Sequence, residues 1–188
     1  PHTNRRNDQY GGSLENRARL LLGVLTAVRR EVGDTFPILV KINGTDDLPL
    51  RRGASTGELV DVARWLQDRG ADAIEISRGH YESWPGMVQG NYRGFLTDSV
   101  TRGPLAPCSP IRKTVIFAAS PIVERVAGRL RPPIEGFNLG YAAAFTEALS
   151  IPVICVGGFH TREGIEHAIG SGMVDAVSAA RAFIADPF

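Results

Sequence analysis

The sequence has few cysteines, almost no net charge and no long apolar run. Its two cysteines, Cys108 and Cys155, match neither a metal-ligand spacing nor a disulfide framework. The formal net charge is +1, so no overall field favours nucleic acid or an anionic membrane as a partner. No apolar run approaches the roughly 18 residues that a membrane span needs. These absences, together with a polar first segment, predict a cytoplasmic globular protein.

Helix and strand patterns alternate along the 188 residues. Four short apolar runs are typical of buried strands: PILVKI, DAIEIS, VICV and DAVSA. Segments with helical spacing lie before and between them, and the predicted N-caps are Ser13, Ser55, Asn138 and Thr161. Alternation of this kind predicts βαβ units and a parallel sheet covered by helices.

One long segment, from about residue 78 to 137, does not fit this alternation. It is rich in Gly and Pro, and the stretch RKTVIFAASPIVERVAG within it is compatible with either a helix or a strand. A connection this long is usually functional or disordered. We therefore treat residues 1–188 as one domain with an insertion at about 78–137.

Two charged residues lie inside predicted strands. Alternation directs Lys41 and Glu75 away from the helices, and in a closed barrel that opposite face is the interior. Lys41, near the carboxyl end of its strand, then points toward the barrel mouth, where ligands bind. Two interpretations stay open: a structural Lys41–Glu75 pair, or a lysine that faces a ligand.

A pair of glycines follows the third strand, in the stretch VICVGGFHTREG. Backbone N–H groups at a strand-to-helix turn can bind a phosphate, and Gly157 and Gly158 would let it approach closely. Arg181 directly follows the fourth strand, where its guanidinium suits the same phosphate. The alternative is a tight turn and an unrelated surface arginine.

Other motifs are missing or ambiguous. The sequence has no G-x-G-x-x-G after a strand and no P-loop, which argues against a Rossmann site. Its histidines show no metal-ligand spacing. Tyr81 and Trp84 follow the second strand and either contact a substrate or pack the loop.

The opening stretch, PHTNRRNDQYGGSLENRARLLLGVL, resembles the segment before the fifth barrel strand of the Old Yellow Enzyme family. That family contains FMN-dependent ene reductases and related NADH:flavin oxidoreductases. VKIN, IEIS, PVICVGGF and DAVSAARAFIADP then resemble its strands five to eight, in order. The resemblance implies an α/β TIM (β/α)8 barrel, here about its last four βα units as a partial barrel.

The resemblance also implies roles for particular residues. Lys41 resembles the basic residue beside N1 and O2 of the flavin, where it stabilises the reduced ring. Gly157, Gly158 and Phe159 resemble the turn that binds the FMN phosphate. The second half of that phosphate site corresponds to Ala180 and Arg181. Apart from the resemblance, Tyr81 is the candidate for substrate contact because of its place after the second strand.

Two departures from the family pattern stand out. Ala180 replaces a residue that is usually glycine, so its methyl group threatens to crowd the phosphate. The chain also begins after the family's fourth strand, so the usual catalytic residues are absent and the catalytic residues here are unknown. We expect a fragment, a truncated product, or a half that needs the missing N-terminal half as a partner.

The resemblance implies hydride transfer from NAD(P)H through FMN to an electron-poor alkene or similar small-molecule acceptor. The alternative is a noncatalytic FMN- or phosphate-binding half-barrel that needs a partner half. A phosphate-binding barrel enzyme without flavin is a third hypothesis, against which the YGGSLENR stretch argues. No metal, nucleic acid or membrane partner is expected.

Overall fold

The computed structural model describes residues 3–48, 52–79, 89, 92–103, 105–130, 132 and 134–186. Its elements, in chain order, are α1 (Leu14–Val32), β1 (Leu39–Asn43), α2 (Thr56–Asp68), β2 (Ala73–Ser77), α3 (Phe95–Thr101), α4 (Pro110–Leu130), α5 (Leu139–Thr146), β3 (Val153–Val156), α6 (Arg162–Gly170), β4 (Ala176–Ser178) and α7 (Ala180–Ala185). The chain divides into one unit of residues 1–87 and 135–188 and a second unit of residues 88–134.

The first unit is built on a four-stranded parallel sheet in the order β1-β2-β3-β4. Every neighbouring pair is parallel, and the register sets Lys41 opposite Glu75 and Val156 opposite Ser178. Sequential strands that lie side by side with helical crossovers are the arrangement of (β/α)-barrels. The predicted fold class, a parallel α/β sheet made of barrel-type units, is confirmed.

Helix starts follow the local sequence signals. The Ser13 side chain accepts a hydrogen bond from the Asn16 N–H, and Ser55 forms a reciprocal capping box with Glu58. Thr161 accepts a hydrogen bond from the Gly164 N–H at the start of α6. These three predicted caps are confirmed. Asn138 holds the N-cap position of α5, but its side chain makes no capping hydrogen bond.

The core lies between the sheet and the helices α1, α2 and α5. Its fully buried members include Leu66, Ile74, Phe145, Val153 and Cys155. The alternate strand positions face the other way: Leu39 is 57% exposed, and the Lys41 side chain is 54% exposed. Apolar residues thus cover the helix side of the sheet, while its other face carries the charged pair, as the alternation predicts.

The second unit consists, in the described residues, of α3 and α4. The undecided stretch is helical: α4 runs through Pro121. The Glu124 carboxylate accepts hydrogen bonds of 2.8 Å from the N–H groups of Gly94 and Leu96 at the start of α3. This carboxylate therefore satisfies N–H groups that have no partner within the helix.

Among the described residues, no helix combines the length and the apolar character that a bilayer span requires.

Candidate functional site

Four loops leave the carboxyl edge of the sheet, the edge at which barrels and open α/β sheets bind ligands. They follow β1 at residue 44, β2 at residue 78, β3 at residue 157 and β4 at residue 179. Because β3 and β4 are neighbours, the turn after Val156 and the turn after Ser178 lie side by side. The sheet therefore brings together the two segments that the sequence predicts as a phosphate site.

The turn between β3 and α6 favours glycine at two positions for reasons within the protein. Gly158 has φ +73°, a left-handed conformation that a side chain disfavours. A Cβ at Gly157 would lie 3.2 Å from the backbone nitrogen of Asn138 and 3.3 Å from its Cβ. Gly157 thus permits close packing against Asn138, and Gly158 permits the turn itself.

The N–H groups of this turn divide into two sets. His160 and Thr161 donate to the Glu135 carboxylate, at 2.6 and 2.7 Å. In the part of the chain that the structure describes, the N–H groups of Gly158 and Phe159 donate to no protein acceptor. Phe159 is 3% exposed, and its side chain anchors the turn in the core. Two anchored N–H groups thus remain for an anion, which fits a phosphate.

Ala180 and Arg181 follow β4 as the first residues of α7. Both are exposed, and no ion pair or hydrogen bond engages the Arg181 guanidinium within the described residues. An unpaired guanidinium on the segment that follows β4, the strand beside β3, suits a phosphate, which it can bind through two hydrogen bonds. Because Ala180 is exposed, its methyl group is not wedged between buried atoms.

Lys41 and Glu75 form an ion pair across β1 and β2. Lys41 Nζ lies 3.2 Å from Glu75 Oε1, and the side chains are 54% and 20% exposed. An ion pair this open to water contributes about 0–1 kcal/mol to stability. The pair exists, but its weakness leaves Lys41 available to a ligand, so both interpretations from the sequence remain open.

Tyr81, the predicted substrate contact, lies outside the described residues, as does Trp84. Their predicted roles stay predictions.

Sequence reasoning missed Arg78, which directly follows β2. Arg78 is only 8% exposed. Its guanidinium donates a hydrogen bond of 2.7 Å to Asp47 Oδ2, and its Cζ lies 5.4 Å from the centroid of the Tyr141 ring. Asn43 joins the same edge, since its amide donates to the Gly79 carbonyl at 2.6 Å. An arginine directly after a strand is the signal that identified Arg181, and it applied equally to Arg78.

Sequence reasoning also missed Glu135. Burial acts to raise the pKa of its carboxyl group, but the N–H groups of His160 and Thr161 outweigh burial and hold that pKa below its usual value. Glu135 is therefore charged at neutral pH. It lies 25 and 26 residues from its partners, in a segment without a periodic pattern, so no local signal pointed to it.

Cys155 and the described acidic and histidine side chains were considered as a nucleophile and as metal ligands. Burial, and next the charge of Glu75, raise the pKa of the Cys155 thiol to about 12, so the thiol stays protonated and inert at neutral pH. No cluster of three or more His, Cys, Asp or Glu side chains among the described residues is arranged to hold a metal ion.

The fold defines an α/β protein of the (β/α)-barrel type, and the candidate anion site lies at the carboxyl edge of its sheet. The model of the NADH:flavin oxidoreductase / NADH oxidase family matches residues 1–93. The resemblance to this family that the sequence predicts is confirmed. Members are flavin-dependent enzymes with FMN as cofactor and NAD(P)H as reductant.

Two curated relatives illustrate the match. The chain is 30% identical over 188 residues to a 4,4'-dithiodibutanoate disulfide reductase of Rhodococcus erythropolis, covering all of this chain and 43% of that protein. It is 27% identical over 187 residues to an NADH oxidase of Thermoanaerobacter brockii, covering all of this chain and 22% of that protein. The chain thus spans less than half the length of either relative.

Solved structures agree on the fold. A 2-naphthoyl-CoA reductase complex with 2-naphthoyl-CoA superposes with a TM-score of 0.72 at 26% identity, over 99% of this chain and 22% of that one. An old yellow enzyme homologue from Zymomonas mobilis superposes with a TM-score of 0.56 at 21% identity, over 98% of this chain and 38% of that one. The second likeness concerns the fold alone.

Proposed function

We propose that this chain binds FMN through the turns after β3 and β4 and supplies that part of a flavin-dependent oxidoreductase. The observation that carries the proposal is the pairing of Val156 with Ser178, which sets the free N–H groups of Gly158 and Phe159 beside the turn that carries the unpaired Arg181. Hydrogen-bond donors and a guanidinium at adjacent strand ends are the complement of a phosphate group.

The residues act at the two ends of the cofactor. The N–H groups of Gly158 and Phe159 donate hydrogen bonds to the phosphate, and Arg181 neutralises its charge. Lys41, on the sheet face opposite the helices, supplies a positive charge for the ring. Bound FMN would supply hydride transfer from NAD(P)H to an electron-poor alkene or similar acceptor. This substrate class, and a cytoplasmic location, belong to the proposal.

A noncatalytic module is the second candidate. Among the described strands, β1 and β4 each pair on one side only, and Leu39 on β1 is 57% exposed. A strand whose outer edge is unpaired and carries an exposed apolar side chain favours a further element or partner at that edge. In this alternative the chain binds FMN or phosphate but requires a partner half for turnover.

Flavin absorbance and turnover separate these candidates. We expect the purified 188-residue chain to bind added FMN, measured by equilibrium dialysis and by the change in the flavin spectrum. Oxidation of NADH or NADPH with a cyclic enone as acceptor then identifies an enzyme. Binding without turnover supports the noncatalytic module. Absence of FMN binding contradicts the enzyme, and absence of binding to both FMN and inorganic phosphate contradicts both candidates.

Lys41 is expected to affect the flavin ring rather than the phosphate. In Lys41→Met we expect the reduction potential of bound flavin to fall by roughly 30–60 mV for a two-electron couple, because a charge-assisted hydrogen bond contributes about 1.5–3 kcal/mol. Spectroelectrochemical titration of the loaded chain measures this shift.

Glu75→Gln is the matched control for Lys41, because it removes the partner of the lysine but keeps the lysine charge. We expect the potential in this variant to stay the same or to rise. An unchanged potential and unchanged flavin affinity in Lys41→Met would rule out the role assigned to Lys41.

A further inference from the structure

Four consecutive residues, 135–138, bind the phosphate turn from both sides; we call them the strap. On one side, Glu135 Oε1 accepts hydrogen bonds from the N–H groups of His160 and Thr161. Its Oε2 accepts a hydrogen bond of 2.7 Å from the Thr161 hydroxyl. A Cβ at Gly164 would lie 2.4 Å from Glu135 Cδ, so this glycine makes room for the carboxylate. The carboxylate is thus built into the start of α6.

On the other side, the strap holds the end of β3. The Phe137 N–H donates to the Gly157 carbonyl at 3.3 Å, and the Asn138 amide donates to the Val156 carbonyl at 2.5 Å. Asn138 is 2% exposed. The strap therefore fixes residues 156, 157, 160 and 161, and the two N–H groups between them, of Gly158 and Phe159, are the ones left for an anion.

The Glu135 carboxylate has two opposite effects on a phosphate bound at this turn. Its hydrogen bonds preorganise the N–H groups, which lowers the cost of ordering the turn when a ligand binds. Its negative charge repels the phosphate, and it takes up the N–H groups of His160 and Thr161 that the start of α6 would otherwise offer.

We propose that Glu135 is a positioning residue that sets phosphate affinity through the shape of the β3–α6 turn, at the expense of charge repulsion. This inference rests on the proposed FMN site. It predicts that geometry and charge can be separated by two substitutions at one position.

Glu135→Gln keeps a carbonyl oxygen for the His160 and Thr161 N–H groups but removes the charge. We expect it to bind FMN about threefold to tenfold more tightly than the unchanged chain, since a charge effect of about 1 kcal/mol corresponds to this range. Glu135→Ala loses the acceptor, and we expect it to bind FMN about tenfold more weakly. Riboflavin, which lacks the phosphate, should bind equally well to all three proteins.

Glu163→Gln is the matched control, because Glu163 lies in the first turn of the same helix and is exposed. It changes the net charge equally without touching the turn, so we expect less than about a twofold change in FMN affinity. Equal weakening in Glu135→Gln and Glu135→Ala, or an unchanged affinity in Glu135→Ala, would overturn the positioning role.

Amide hydrogen exchange provides a readout that does not need flavin. We expect the amides of His160 and Thr161 to lose protection in Glu135→Ala and to keep it in Glu135→Gln. Equal protection of these two amides in both variants would contradict the role of Glu135 in holding the turn. If the unchanged chain does not bind FMN, the proposed function fails, and the exchange pattern still decides whether Glu135 positions the turn.

Discussion

Replacing Gly158 by valine is expected to reduce FMN affinity by about a hundredfold, because the turn can no longer offer its N–H groups to the phosphate. Gly158 has φ +73°, and a β-branched residue is a genuine outlier in that region. The backbone would leave this conformation or bear a cost of roughly 1–2 kcal/mol. Hydrogen bonds to a charged group contribute about 1.5–3 kcal/mol each, so the lower value for the two together, about 3 kcal/mol, corresponds to a loss of about a hundredfold. Fluorescence titration of FMN measures it.

Gly172→Val is the control for backbone strain. Gly172 has φ +72°, and nothing lies within 4 Å of the position that its Cβ would occupy. Because it follows α6 at the other end of that helix, it carries the same strain away from the turn. We expect similar losses of thermal stability in the two variants but normal FMN affinity in Gly172→Val. Equal FMN affinity in the two variants would show that the turn after β3 is not part of the FMN-binding site.

Replacing Arg29 by methionine is expected to lower the free energy of unfolding by about 3 kcal/mol. The Arg29 guanidinium donates to the carbonyls of Gly33 at 2.8 Å, Phe36 at 2.7 Å and Gly70 at 2.5 and 3.0 Å, and it also pairs with Asp72. Its side chain is 14% exposed. One side chain thus joins the end of α1 to the segments that enter β1 and β2, and its loss leaves several acceptors unpaired.

Urea denaturation compares Arg29→Met with Arg30→Met. Arg30 is exposed and has no partner among the described residues, so its replacement should change stability by less than about 0.5 kcal/mol. Similar effects of the two substitutions would contradict the role of Arg29.

The contribution of Arg29 should also depend on pH. The Ile38 N–H, and then Arg29, hold the pKa of Asp72 below its usual value. A depressed carboxyl pKa stabilises the folded state above the unfolded-state value, and this stabilisation disappears as the pH falls through the folded-state value. We therefore expect the stability difference between the unchanged chain and Arg29→Met to narrow in acid. If this stability difference stays constant with pH, the ion pair with Asp72 does not contribute to it.

The fold was largely accessible from the sequence because its signals are local. Ser13, Ser55 and Thr161 each lie at the start of a periodic segment, and the caps that they form involve residues three positions away. The four strands are short apolar runs, and their sequential parallel order follows from the alternation with helices. The stretch 112–128 is compatible with a helix or a strand in the sequence, and it forms a helix despite Pro121 within it.

The site was accessible only in part. Parallel strand order brought the β3 and β4 turns together, so their neighbourhood could be predicted from the position of each turn in the chain. Asn138 was expected to cap α5, but its amide is drawn to the Val156 carbonyl, 18 residues later in the chain. Contacts of this kind depend on how a distant segment lies against the sheet, and neither periodicity nor a cap pattern encodes them.

The comparison of FMN with riboflavin tests the central claim most directly, because the two ligands differ only in the phosphate. We predict that the 188-residue chain binds FMN at least about a hundredfold more tightly than riboflavin, and that Arg181→Gln lowers this ratio by about tenfold or more by weakening FMN alone. Equal affinities for the two flavins, or a ratio that Arg181→Gln leaves unchanged, would contradict the assignment of the phosphate to the ends of β3 and β4.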